Sequence, residues 1–96
     1  MAIVYILHST IADKFYIGST TLSAEERLNR HLSNYYKNSF TSKYSDWTLF
    51  FEILCHSDIQ ARKIEHHIKK MKSKKYIQNL LTFPEISQKL LEKYSK

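Results

Sequence analysis

The sequence predicts an α+β domain: a small three-stranded antiparallel sheet flanked by helices, in the order β-β-α-β-α-α with an extra C-terminal helix. Three observations carry that reading. Ile3-Val4-Tyr5-Ile6-Leu7 is an unbroken β-branched and aromatic run, the pattern of a strand covered on both faces. A second short apolar stretch, Phe15 to Gly18, follows a turn at Asp13-Lys14 and is close enough to pair with the first as a hairpin. Beyond residue 57 the apolar residues recur at helical spacing. One glycine and one proline in 96 residues argue against a turn-dense β-sandwich or a repeat array.

The elements follow in order. Ser23 with Glu26 three residues on is a capping box, and the helix it starts carries Leu28 and Leu32 inward. Residues 34–46 are polar, with Tyr35, Tyr36 and Tyr44 interleaved with Lys37 and Lys43, and read as a long functional loop. Trp47 to Cys55 is the third strand. Ser57 and Gln60 form another capping box, opening a helix over about 58–72 with Ala61, Ile64, Ile68 and Met71 on one face. Ser73 starts a further helix holding Tyr76, Ile77, Leu80 and Leu81. Pro84 sits in the first turn of a last helix that uses Ile86, Leu90 and Leu91.

A hydrophobic content of 43% with 14% aromatics supports a core, and the absence of biased tracts excludes a disordered chain. Fifteen basic against nine acidic residues leave a net charge of +6, which fits a polyanionic partner, nucleic acid or an anionic membrane. Cys55, the single cysteine, excludes a disulfide framework and a thiolate metal cluster and suits a reducing interior. The apolar start lacks a basic leader and is too short to span a bilayer. The expectation is a cytoplasmic protein without a membrane partner.

Several residues disobey their local pattern, which is where function tends to surface. Glu65 lies beside Ile64 and three residues before Ile68, a carboxylate on the edge of the stripe facing the sheet. It needs either a cationic partner from another element or a hard metal ion. Arg27 and His31 are four apart on the flank of the Leu28/Leu32 stripe and can present a cation and an imidazole to one point, or solvate a helix face. Tyr5 and Tyr16 sit in paired strands, where tyrosine commonly serves the core. Gly18, at the end of the second strand, marks a bulge or a close backbone approach. Between Arg62 and Lys75 stand seven lysines and arginines and a single acid, Glu65. With the loop lysines they can form a phosphate-binding rim; the candidates are Lys37, Lys43, Lys69, Lys70, Lys72, Lys74 and Lys75.

Taken together, these residues resemble the GIY-YIG nuclease family, and specifically its short stand-alone members. The first motif stands as Ile3-Val4-Tyr5, with isoleucine for the family's first glycine; the second, Tyr16-Ile17-Gly18, is intact. Arg27 and His31 match the arginine-x-x-x-histidine of the first helix, Glu65 the glutamate of a later helix, and Asn79 a polar position near the end. Trp47-Thr48-Leu49 is typical of short bacterial members, whereas Ser19 stands where repair-type members carry lysine. The likeness runs from Ile3 to about Leu80. It implies a nuclease-like domain over residues 1–82 and a C-terminal helix over 83–96 packed on the same domain.

The resemblance also implies a chemistry: a metal-dependent endonuclease hydrolysing phosphodiester bonds of nucleic acid, DNA in the first instance. Glu65 would hold one divalent ion, Mg²⁺ with Mn²⁺ as the other candidate, since Mg²⁺ keeps several waters and tolerates one protein carboxylate. Arg27 would clamp the phosphate. Tyr5 would act as general base, Tyr16 would orient water or phosphate, His31 would relay a proton or bind phosphate, and Asn79 would order the site. The competing expectation is a nucleic-acid-binding module on the same fold with little or no catalysis.

Overall fold

A computed structural model of the chain describes residues 2–21, 26, 28, 29 and 46–95, and three strands and three helices are delimited among them. Strands β1 (Ala2–Ser9), β2 (Lys14–Thr20) and β3 (Trp47–Cys55) form one antiparallel sheet in the order β2-β1-β3. Helices α1 (Asp58–Met71), α2 (Lys74–Thr82) and α3 (Pro84–Lys93) follow. The predicted α+β class and element order hold. Glu26, Leu28 and Asn29 are helical, and Leu28 packs inward as expected; Ser23, Arg27, His31, Leu32, Lys37 and Lys43 lie outside the described residues.

The apolar run of β1 is buried from Ala2 to Leu7 because both faces of the central strand are covered. Ala2, Val4 and Ile6 face Ala61, Ile64 and Ile68 of α1 and Ile77, Leu80 and Leu90 of the later helices. Ile3, Tyr5 and Leu7 face the other way, with Trp47, Tyr16 and Leu28. A β-bulge between Ile6 and Leu7 switches the parity of β3. Ile6 pairs with Phe51 and Leu7 with Leu49, so Phe50 is the extra residue. Phe50 and Phe51 both pack on the helix side, while Trp47 swings to the Tyr5 face and is buried there. The chain's only glycine lies elsewhere, so the bulge is made without one.

Polar contacts join the elements. Asp46 accepts the Ser9 hydroxyl at 2.6 Å and the Ile11 N–H at 2.8 Å, tying the turn after β1 to the start of β3. Those bonds hold its carboxyl below the usual range. Asp13 takes the left-handed conformation in the hairpin turn (φ 50°), which aspartate tolerates better than most residues. Lys74, at the start of α2, donates to the Asp13 carbonyl at 2.6 Å. Ser57 caps α1 as expected, but the buried Gln60 amide does not close the box on Ser57. Its oxygen instead takes the His56 N–H at 2.6 Å and its nitrogen donates to the Leu91 carbonyl at 3.0 Å, linking the end of β3 to α3. Two expected core positions are exposed: Met71, 46%, in the last turn of α1, and Leu81, 54%, near the end of α2. Among the described residues no helix is long and apolar enough to cross a membrane.

The end of α3 is seated through His67 of α1. Its Nδ1 lies 2.9 Å from the Tyr94 hydroxyl, and the Tyr94 ring meets it edge-on at 5.8 Å. Burial, assisted by the charges of Lys93 and Lys70, keeps His67 harder to protonate than an ordinary histidine. The unfolded chain therefore binds more protons than the native state in that window. The stability is present above the ordinary histidine value and is lost as pH falls toward the lower native one. Thermal melts should show a falling midpoint from about pH 7 to about pH 5. His67→Gln should flatten that slope; an unchanged slope would assign the loss to other groups.

Candidate active site

The candidate residues are positioned by β2, the edge strand, and by α1, which packs across β2 and β1. Period-two alternation places Tyr16 and Gly18 on one face of β2 and Ile17 and Ser19 on the other. Tyr5 pairs with Gly18 and Leu7 with Tyr16, so the two tyrosines share a face, with ring centroids 6.2 Å apart. Tyr5 is fully buried, whereas Tyr16 is half-buried and is the ring of the pair that reaches solvent.

Gly18 is buried and is not in a left-handed conformation, so backbone freedom is not what position 18 requires. It requires space. A Cβ there would collide with the Tyr5 hydroxyl and would stand 2.5 Å from the ring carbon bearing it. Of the two readings open from sequence, the close approach is the one realised.

The opposite face holds the carboxylate. Glu65 comes from α1 with its side chain 15% exposed. Ser19 donates its hydroxyl to Oε1 at 2.5 Å, and Lys69, one turn along the same helix, donates to Oε2 at 2.6 Å. Among the described residues the cationic partner of Glu65 is thus on its own helix rather than on the other element expected, and the glutamate-to-lysine spacing of four is the sequence signal that could have found it. Ser19 carried no such signal beyond following Gly18. With one oxygen held by a hydroxyl and the other by an exposed, replaceable ammonium, Glu65 fits a divalent ion bound by one carboxylate and water. Among the described residues no group of three histidine, cysteine or acidic side chains could form a protein cage for a metal.

Tyr5, Tyr16 and Glu65 therefore do not share one face. They form two clusters back to back, separated by the Gly18–Ser19 backbone of the edge strand. Asn79 lies on α2, where its main-chain carbonyl accepts the Phe83 N–H at 2.7 Å and closes the helix. A groove of about 250 Å³ opens between β2 and the α1–α2 junction, with Lys14, Lys69, Lys72 and Lys74 on its rim. Lys74 also holds Asp13, so part of its charge serves the hairpin turn.

The family model of the GIY-YIG catalytic domain matches residues 1–78. Searches of curated proteins and of solved structures found no match.

Introducing a methyl group under the Tyr5 ring should destabilise the fold. Gly18→Ala is expected to cost roughly 1–3 kcal/mol by overpacking, although the same change at an unobstructed strand position is neutral or favourable. Chemical denaturation measures it, and in a Tyr5→Phe background the penalty should shrink, because the hydroxyl is the first atom met. An equal penalty in both backgrounds would show that the hydroxyl is not the obstacle and leave the clash to the ring carbons.

Proposed function

The chain belongs to the GIY-YIG family of nucleases, and from that premise we propose that it is a divalent-metal-dependent endonuclease acting on DNA in the cytoplasm. The observation that supports this best is that one edge strand anchors both the tyrosine pair and, through Ser19, the carboxylate of Glu65. Hydrolysis of a phosphodiester needs a deprotonated water, neutralisation of the phosphoryl charge and a stabilised leaving oxygen. Glu65 is the residue that would hold a Mg²⁺ or Mn²⁺ ion, which when bound supplies charge neutralisation and acidifies water.

The protein's own residues divide the remaining work. Ser19 is a positioning residue: its hydrogen bond orients the Glu65 carboxylate. Tyr5 is the base that the family likeness puts forward, but its burial favours giving that role to Tyr16, with Tyr5 packed behind it. A phenol is a weak base at neutral pH until cations stabilise the phenolate, and Arg27 at its family position supplies one, along with the phosphate clamp. His31 relays a proton or binds phosphate, and Asn79 orders the helical side. Lys69, Lys72 and Lys75, with Lys37 and Lys43, hold flanking phosphates.

The ion pair between Lys69 and Glu65 favours a second reading, a nucleic-acid-binding module in which that pair is permanent. One assay separates the two: cleavage of plasmid and branched DNA with Mg²⁺ or Mn²⁺. Catalysis predicts losses of about 10²-fold or more in Tyr16→Phe, in line with removing a general base. Glu65→Gln should lose comparable activity and Tyr5→Phe less. Equal cleavage by wild type and all three variants would remove these residues from the site. Salt-sensitive DNA binding that Glu65→Gln leaves intact, with no cleavage under any metal, would establish the binding module instead.

A further inference from the structure

A second, wider concave surface lies largely outside the two clusters. It is an open groove of about 1160 Å³ between the outer face of α1, from Arg62 to Met71, and Lys93–Tyr94 at the end of α3. Five lysine and arginine side chains line it, together with two histidines; no carboxylate is among the described lining residues, although Arg62 pairs with Asp58 at 3.0 Å one turn away. Arg62, Lys70 and Lys93 are exposed. The floor is different in kind. The His67 and Tyr94 rings meet edge-on there, and the exposed side of Met71 extends the apolar surface. Cations above aromatic rings are the two ingredients with which proteins hold a single nucleic-acid strand: the cations follow the phosphates and the rings stack bases.

We propose that this groove binds a single-stranded segment of nucleic acid, by phosphate contacts from Arg62, Lys63, Lys70 and Lys93 and base stacking on Tyr94. Three physical points select this occupant. A duplex hides its base faces inside its own stack and would leave the aromatic floor unused. A membrane surface is flat and is bound by protruding apolar faces, whereas these rings line a concavity, with the Lys93 ammonium 5.5 Å from the Tyr94 ring centre. The Arg62–Met71 stretch spans about 14 Å, room for a few nucleotides. Lys69 lines both this groove and the smaller one beside β2, so a strand held here leads toward Glu65. The inference rests on nucleic acid being the polymer the chain meets, and it adds to that reading a second surface and a preference for substrates with a single-stranded arm.

The test is fluorescence anisotropy of a labelled oligothymidine and of a duplex of equal length, in EDTA so that cleavage plays no part. The single strand should bind more tightly than the duplex. Lys70→Glu/Lys93→Glu should weaken it by tenfold or more at low salt and reduce the slope of log affinity against log salt by about 2. Tyr94→Leu should weaken single-strand binding several-fold and leave the duplex unchanged, with melting curves confirming the fold, while Tyr94→Phe should match wild type. Unaltered single-strand affinity in the double variant would overturn the proposal. So would equal losses for duplex and single strand, equal displacement by polyglutamate of matched charge, or preferential binding to phosphatidylserine vesicles. Plasmid cleavage that still depends on Glu65 alongside any of those results would leave the nuclease reading standing and remove only the groove.

Discussion

With any side chain at position 18, the Tyr5 ring could not lie where it does, and much of the molecule is arranged around that contact. Tyr5 is a large aromatic in the central strand, sealed from solvent although it carries a hydroxyl. Its neighbour on the edge strand supplies bare backbone for the ring to lie on. The approach brings Tyr16 alongside Tyr5, with the Gly18–Ser19 backbone between the tyrosine face and the helix face. Ser19, turned to the helix side by strand alternation, then reaches the glutamate of α1. A glycine that elsewhere would serve a turn serves here as a clearance.

The second organising feature is the way α1 divides its surface. Its buried stripe of Gln60, Ala61, Ile64 and Ile68 binds it to the sheet and to α3. Glu65 on the flank of that stripe is neutralised by Lys69 in the next turn and oriented by Ser19. The far face carries lysines, an arginine and aromatic rings that line a groove. One helix therefore serves packing, a carboxylate suited to a divalent ion and a polyanion surface, which is economical in a chain of 96 residues. The charges that make the outer face attractive to phosphates also oppose protonation of His67, so the groove and the seating of α3 are electrostatically linked.

Most of the fold is legible in the residues. The β-branched run of β1, the Ser57 and Ser73 caps and the helical spacing of Ile64, Ile68, Ile77 and Leu80 locate the elements to within a few positions, because these are local preferences that the chain states wherever it is placed. Met71 and Leu81 mislead for the complementary reason: periodicity shows which residues could be covered, not where the covering layer ends. The Glu65–Lys69 pair is written in the spacing of one helix, whereas the Glu65–Ser19 bond joins residues 46 positions apart and has no local trace.

The sequence by itself determines the class of the domain, its positive charge and the family motifs on which the nuclease reading rests. Only the tertiary structure decides how those motifs meet. It places the tyrosines and the glutamate on opposite sides of an edge strand, buries Tyr5 while leaving Tyr16 partly open, and turns scattered basic residues of α1 into one wall of a groove closed by α3. The physical reason is that strand parity, the bulge at Phe50 and helix docking are set by long-range packing of the whole core, and no window of neighbouring residues contains them.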